Sequence, residues 1–183
     1  MSPATEPTAR PRGSVFIAVS ADGFIARANG AIDFLSAVEL EGEDYGYQRF
    51  FDSVDALVIG RGTYDTLLGF DSWPYGEKRC VVLTNRRPER ARKTEEFYAG
   101  SPVELAQRLG QEGVKRMYID GGHVIRAFLE AGLVDDLTLS VVPVLLGAGL
   151  PLFGGKAREQ KLELQESRSF STGLVQLSYH IEH

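Results

Sequence analysis

Apolar residues form short continuous runs in the first two thirds of the chain. Residues 14–20 (SVFIAVS), 56–59 (ALVI), 79–83 (RCVVL) and 116–119 (RMYI) are short and rich in β-branched or aromatic side chains. Such runs are typical of strands that are buried on both faces of a parallel sheet. Each run is followed by a helix-like or turn-like segment, with helices predicted over residues 43–53, 63–68, 102–111 and 123–131. This alternation predicts an α/β fold with a largely parallel sheet and helices on both faces.

The pattern changes in the last third of the chain. Residues 136–143 (DLTLSVVP) predict a longer strand, and residues 145–155 (LLGAGLPLFGG) predict a glycine-rich loop. Residues 161–169 and 174–182 alternate apolar and polar positions, and a Ser-Thr-Gly turn separates them. Alternation of this kind predicts an antiparallel hairpin with one face toward water. We therefore expect the parallel sheet to end in a C-terminal antiparallel hairpin.

Length and composition limit the classes of function. The 183 residues fit one domain, which we expect over residues 13–183, after a polar, proline-containing arm over residues 1–12 that we expect to be disordered. A net charge of −5 argues against a nucleic-acid partner. No apolar run is long enough to cross a membrane, and the N-terminus lacks the apolar centre of a signal peptide, so a cytoplasmic protein is expected. The single Cys80 excludes a multi-cysteine metal site, and we expect no metal.

Two of the predicted strands end in glycine-containing turns that open a helix. Gly60, Arg61 and Thr63 follow the second strand, and Gly121 and Gly122 follow the fourth. The first N–H groups of a helix lack partners and carry a positive partial charge, so such turns can bind phosphate groups. An arginine adds a planar fork of donors. Each motif taken alone is equally consistent with a tight turn that binds nothing.

Two further strand ends carry polar groups. The third predicted strand is followed by Thr84, Asn85 and Arg86, which taken alone favour a solvated basic loop. The first is followed by Asp22-Gly23 and then by Asp33, for which a turn and a helix cap are alternative interpretations. The carboxyl ends of parallel strands lie on one edge of the sheet, where ligands of open α/β sheets bind. The four strand ends together therefore predict one ligand-binding cleft.

The segments that carry these motifs resemble the dihydrofolate reductase superfamily, and within it the C-terminal reductase domain of the riboflavin-biosynthesis protein RibD. The similar segments are VSADGFIA (19–26), ALVIGRGTYDTL (56–67), VVLTNR (81–86) and MYIDGGHVIRAFLEAGLVDDLTLSVVPVLLGAGLPLF (117–153). The resemblance implies a three-layer, dihydrofolate reductase-like fold with a mixed, mostly parallel sheet of about eight strands. It also implies NADPH as the hydride donor, and a mobile loop at residues 20–26 over the active site.

The resemblance assigns the cofactor contacts to four groups of residues. It implies that the 2′-phosphate and pyrophosphate side is held by Gly60, Arg61 and Thr63, and that the adenosine phosphate lies along Thr84, Asn85 and Arg86. It further implies that the pyrophosphate and nicotinamide ribose are wrapped by Gly121, Gly122, His123 and Val124, and that the backbone of Ala18 approaches the nicotinamide amide.

The substrate side departs from the pattern of dihydrofolate reductases. A Leu-Pro-Trp element is replaced by residues 32–35 (IDFL), so Asp33 is the candidate catalytic acid and, with Phe34, the candidate substrate contact. The expected function is NADPH-dependent transfer of hydride to a C=N or C=O bond of a small pterin- or pyrimidine-like substrate. An NADPH-binding or ligand-sensing protein without turnover is the alternative. The apolar residues 141–152 and the resemblance also predict a homodimer.

Overall fold

The protein is an α/β molecule built on one eight-stranded sheet, in a computed structural model that describes residues 10–89, 92, 95–155 and 158–183. The strands are β1 (Arg12–Ser20), β2 (Phe24–Ala26), β3 (Ala56–Gly60), β4 (Arg79–Leu83), β5 (Glu96–Tyr98), β6 (Arg116–Asp120), β7 (Asp136–Val142), β8 (Leu150–Pro151), β9 (Leu162–Ser169) and β10 (Val175–Ile181). The helices are α1 (Tyr47–Asp52), α2 (Arg61–Leu68), α3 (Pro102–Gln111) and α4 (Gly122–Glu130), with a 3₁₀ helix at Asp33–Val38.

The strand order of the large sheet is β5-β4-β3-β6-β1-β7-β10-β9. Every pairing from β5 to β7 is parallel, whereas β10 runs antiparallel to both β7 and β9. The prediction of a mixed, mostly parallel sheet that ends in an antiparallel hairpin is therefore confirmed. The strands β2 and β8 form a separate two-stranded sheet that the sequence did not predict.

Helices cover both faces of the sheet, as predicted. On one face, α3 and α4 bury Leu105, Leu109 and Phe128 against β1, β3 and β4. On the other face, α1 and α2 pack aromatic side chains, including the fully buried Tyr64, against β3, β4 and β6. The free Cys80 belongs to this second cluster, where burial raises its pKa to about 12. The thiol thus behaves as a small buried apolar group.

The folded region begins before residue 13. Arg12 opens β1, and the guanidinium of Arg10 donates two hydrogen bonds of 2.8 Å to the carboxylate of Asp135. The same carboxylate accepts a 2.7 Å bond from the backbone N–H of Gly13. Residues 10–12 are thus part of the fold rather than of the predicted arm, and residues 1–9 of that arm lie outside the described residues. Within the described residues, no helix is both long and apolar enough to cross a membrane.

Candidate functional site

The two glycine-containing turns lie side by side because β3 and β6 are neighbours in the sheet. In their parallel register Ile59 is opposite Asp120, so α2 and α4 begin next to each other. Gly121 has a φ of +96°, and a Cβ built on it would lie 2.5 Å from Thr63 Oγ1. Only glycine permits this approach without displacing a neighbour. The two turns therefore form a single wall.

A cleft of about 930 Å³ opens in front of this wall. Its size is at the upper end of the range for small-molecule and cofactor sites. The cleft extends from the turns along β1, where Phe16 and Ala18 line it, to the apolar side chains of Ile32 and Leu35. The predicted cofactor residues that line it are Ala18, Gly60, Arg61, Thr63, Thr84, Gly121, Gly122, His123 and Val124.

The wall of the cleft has the electrostatic character of an anion site. The residues that cap α2 and α4 are Gly60 and Gly121, and neither helix start receives a hydrogen bond from a capping side chain. The N–H groups of both first turns are therefore available to a ligand, and the two helix dipoles add positive potential. Arg61 lies beside them, where its Nε donates to Asp65 at 2.8 Å and its Nη1 donates to the Arg86 carbonyl at 3.2 Å.

Two predicted cofactor residues lie outside the cleft. Asn85 and Arg86 are exposed and do not line it. The Arg86 carbonyl accepts hydrogen bonds from Arg61 and from Thr84 Oγ1, at 3.2 and 2.9 Å. The Arg86 carbonyl thus helps to hold the side chain of Arg61 in place.

The segment that the resemblance assigned to a mobile loop is held on several sides. Phe24–Ala26 pairs with Leu150–Pro151 as β2 and β8. The carboxylate of Asp22 accepts bonds from Ser20 Oγ and from the backbone of Gly147, at 2.6 and 2.7 Å. Arg126 of α4 donates a 2.6 Å bond to the Pro151 carbonyl. These contacts make the segment a cover that is tied to α4.

The predicted substrate contacts Asp33 and Phe34 point away from the cleft. The Asp33 carboxylate is exposed and accepts bonds of 2.6 and 3.0 Å from Arg27, and these bonds lower its pKa. A proton donor at neutral pH needs a raised pKa, so this environment argues against the predicted catalytic role. Phe34 is buried beside Val142 and Leu174 and supports the 3₁₀ helix instead. The next residue along the chain, Leu35, does line the cleft.

Asp120 is a candidate acid that the sequence analysis did not select. It lies at the end of β6, lines the cleft, and is surrounded by the rings of Tyr47, Tyr75 and Tyr118. Burial raises its pKa, although a 3.0 Å hydrogen bond from the Tyr75 hydroxyl and a 2.9 Å bond from the Gly121 N–H oppose the shift. Its position directly before the Gly-Gly pair was the available signal.

Comparisons with known proteins agree on one family. The sequence profile of the RibD C-terminal domain matches residues 11–176. The uncharacterised protein YwjB of Bacillus subtilis (strain 168) is 35% identical over 167 residues, which cover 90% of this chain and 95% of YwjB. The crystal structure of a protein from Shewanella sp. PV-4, provisionally assigned to riboflavin biosynthesis, has a TM-score of 0.88 at 35% identity and covers 94% of this chain and 99% of that one.

A more distant structure shares the fold. A deaminase and 5-amino-6-(5-phosphoribosylamino)uracil reductase from Thermotoga maritima has a TM-score of 0.72 at 16% identity. The match covers 94% of this chain and 57% of the other. The sheet, its order and its C-terminal hairpin thus belong to an architecture found in solved reductase proteins.

The approach of Gly121 to Thr63 gives a first testable prediction. In Gly121→Ala, the new methyl group would overlap Thr63 Oγ1 and the residue would have to hold a positive φ, which alone costs about 1–2 kcal/mol. We expect a loss of about 3 kcal/mol in the free energy of unfolding, measured by urea denaturation. Gly113→Ala is the matched control, since Gly113 has a φ of +88° with no atom near its Cβ position. Equal losses in the two variants would contradict the close approach.

Proposed function

The chain belongs to the RibD C-terminal domain family, and on this premise we propose that it is an NADPH-dependent reductase. The proposed reaction transfers hydride to a C=N or C=O bond of a small pterin- or pyrimidine-like substrate. The observation that carries the proposal is the pair of adjoining helix starts that, with Arg61, face one long cleft. Free backbone N–H groups at helix N-termini bind phosphates well, so such a site suits the phosphates of a dinucleotide.

The residues of the cleft fit such a cofactor. A Cβ on Gly60 would lie 3.0 Å from Val124, and a Cβ on Gly122 would lie 2.9 Å from Ile25. The glycines of the wall line the cleft with backbone alone, which allows close approach of a pyrophosphate. In the proposal, the phosphates are held by Gly60, Arg61, Thr63, Thr84, Gly121 and Gly122, and the nicotinamide end is held by Ala18, His123 and Val124. When bound, NADPH supplies the hydride.

The chain's own groups orient the substrate, exclude water and hold a proton. Ile25, Leu35 and Leu150 line the cleft with apolar surface, and the β2–β8 cover keeps solvent from it. Asp120 is the proposed proton-holding group, because burial keeps its carboxyl protonated to a higher pH than an exposed one. Tyr75 orients that carboxyl through its hydrogen bond. Asp33 has no part in this proposal.

Arg61 provides the test of cofactor identity. In Arg61→Ala, we expect the dissociation constant of NADPH to rise about tenfold, because one charge-assisted contact to the 2′-phosphate contributes about 1.5 kcal/mol. The constant for NADH, which lacks that phosphate, should stay within about twofold. Both constants are measured by calorimetric titration.

Asp65→Asn is the matched control for this experiment. It removes the carboxylate that competes for Arg61 at 2.8 Å and should leave NADPH binding equal or tighter. Equal weakening of NADPH and NADH in Arg61→Ala would show that Arg61 supports the turn and does not select a phosphate. An absence of binding by either nucleotide to the native chain would refute the proposed function.

Asp120 provides the test of the acid. A group that must be protonated gives a rate that is full below its pKa and falls as pH rises through it. We expect this fall in the kcat/KM of the native chain. We expect Asp120→Asn to lose it, together with about a hundredfold in kcat. Tyr75→Phe should shift the fall to higher pH, because the hydrogen bond from Tyr75 lowers the Asp120 pKa.

Asp33→Asn is the control for the acid, since its side chain lies outside the cleft, and it should keep the native profile. If Asp33→Asn loses the pH-dependent fall and Asp120→Asn keeps it, the original interpretation from the sequence is the better one. Tight NADPH binding with no oxidation by any pterin or ribosylaminopyrimidine would favour a ligand-sensing protein.

We also propose that the chain forms a homodimer through the apolar segment that the sequence indicated. Within it Val142 and Leu152 are buried, whereas Leu145 is 76% exposed and Leu150 43% exposed. Phe153, directly after it, is 49% exposed. Exposed apolar groups in one segment favour an interface. We expect sedimentation velocity to show a dimer at micromolar concentration that Leu145→Asp converts to a monomer, whereas Glu163→Lys should not. A native monomer would contradict the assignment.

A further inference from the structure

A second, smaller cavity adjoins the cleft at the end opposite Arg61. It has a volume of about 500 Å³ and shares the lining residues Phe16, Ala18 and Leu35 with the cleft. We call it the side cavity; its other lining residues are Val38, Glu39, Leu40, Glu41, Glu43, Asp44, Tyr45, Ser140 and Leu174. Because the two spaces meet at Ala18, a ligand beside Ala18 in the cleft can extend into the side cavity.

The side cavity exists because small residues occupy the middle of the sheet at this point. Ala18 of β1 is opposite Ser140 of β7 in parallel register, so both side chains lie on the same face. The 3₁₀ helix covers that face through Phe34 and Val38, which pack against Val142 further along β7. Ala18 and Ser140 both have short side chains, and both line the side cavity.

Ser140 has a hydroxyl proton to give to a ligand. Its residue is only 4% exposed, and its Oγ lies 3.0 Å from Gln176 Nε2. The same Nε2 is 2.9 Å from the Tyr45 carbonyl, which can only accept, so this atom is the amide nitrogen and it donates to both partners. Ser140 Oγ therefore accepts from Gln176. Its own hydrogen has no acceptor among the hydrogen bonds of the described residues, and the residue lines the side cavity.

The charge at the mouth of the side cavity is negative. Four carboxylates line it, and no lysine, arginine or histidine of the described residues does. Two of the four are engaged by backbone: Glu43 accepts from the N–H of Tyr45, and Asp44 accepts from Gly46 and Gln48. Glu39 and Glu41 are exposed at the rim. A phosphate or carboxylate group would meet repulsion here that nothing in the lining offsets.

We propose that the side cavity binds the non-reacting part of the substrate, and that this part is uncharged or cationic, bears amino or hydroxyl donors for the rim carboxylates, and offers an acceptor to Ser140. This inference rests on the proposed reductase function. It separates this chain's substrate from the phosphorylated one that the name of the Thermotoga maritima protein specifies. The hydride acceptor would remain in the cleft beside Ala18, with the side cavity as its specificity pocket.

The test uses two probes that differ only in a phosphate group, 5-amino-6-ribosylaminouracil and its 5′-phosphate. Their dissociation constants are measured by calorimetry with saturating NADP⁺, so that no turnover occurs, and again without nucleotide. Two carboxylates about 8 Å from a dianion, in a medium between water and protein interior, predict at least a tenfold preference for the unphosphorylated probe. Glu39→Lys/Glu41→Lys should remove or invert the preference, and added salt should weaken it.

A control with the same change in net charge is Glu159→Lys/Glu163→Lys, at exposed positions that line neither space. It should keep the native preference. Ser140→Ala should weaken both probes about fivefold without changing their ratio, as loss of one neutral hydrogen bond predicts. Thr138→Ala is its control, because Thr138 lies on the same face of β7, bonded to Ser178, outside the side cavity.

The outcomes separate the two proposals. Equal or tighter binding of the phosphate by the native chain, or an unchanged ratio in Glu39→Lys/Glu41→Lys, overturns the substrate inference even if NADPH is oxidised. Binding of neither probe at millimolar concentration also overturns it. A charge preference that depends on Glu39 and Glu41, in a chain that does not oxidise NADPH, supports the inference while the reductase proposal fails.

Discussion

The site depends on the parallel pairing of β3 with β6. This pairing brings two helix starts together that are far apart in the sequence, and the register sets Ile59 opposite Asp120. The two turns can adjoin because the backbone of Gly121 packs against the side chain of Thr63. A Cβ at position 121 would overlap Thr63 Oγ1. Neither turn alone provides an extended anion site. Joined, they provide two sets of free N–H groups on one wall, with Arg61 at its edge.

The long strands could be predicted from the sequence because strands that are buried on both faces consist mostly of apolar residues. The runs in β1, β3, β4 and β6 are apolar since both faces of each strand are covered. Two of the short strands could not be predicted from the sequence, for the opposite reason. Glu96–Tyr98 and Leu150–Pro151 are too short for a period, and their pairing is imposed by β4 and β2. The wall formed by the two turns was predictable because its groups are glycines and N–H groups at strand ends.

The substrate side was not predictable, and two aspartates show why. Asp33 and Asp120 are the same residue type, but Asp33 begins the 3₁₀ helix and Asp120 ends β6. Asp33 is solvent-exposed beside Arg27, which lowers its pKa, whereas Asp120 lies among tyrosines from three separate segments, and burial raises its pKa. The pKa of a carboxyl is set by what the fold places around it. Tyr47 and Tyr75 are distant from Asp120 in the sequence, so no local motif records them.

The cleft and the side cavity together form one groove. The net charge of −5 does not show how unevenly charge is distributed along it. At one end are two helix N-termini and Arg61, and at the other are Glu39 and Glu41, with Ala18 near the point where the two spaces meet. An anionic ligand is attracted to the first end and repelled from the second, so its orientation along the groove is fixed before any specific contact forms. A cationic ligand has the opposite preference, and a neutral ligand is repelled from neither end. Two ligands of opposite character can therefore bind together without competing, and their reacting ends would meet beside Ala18.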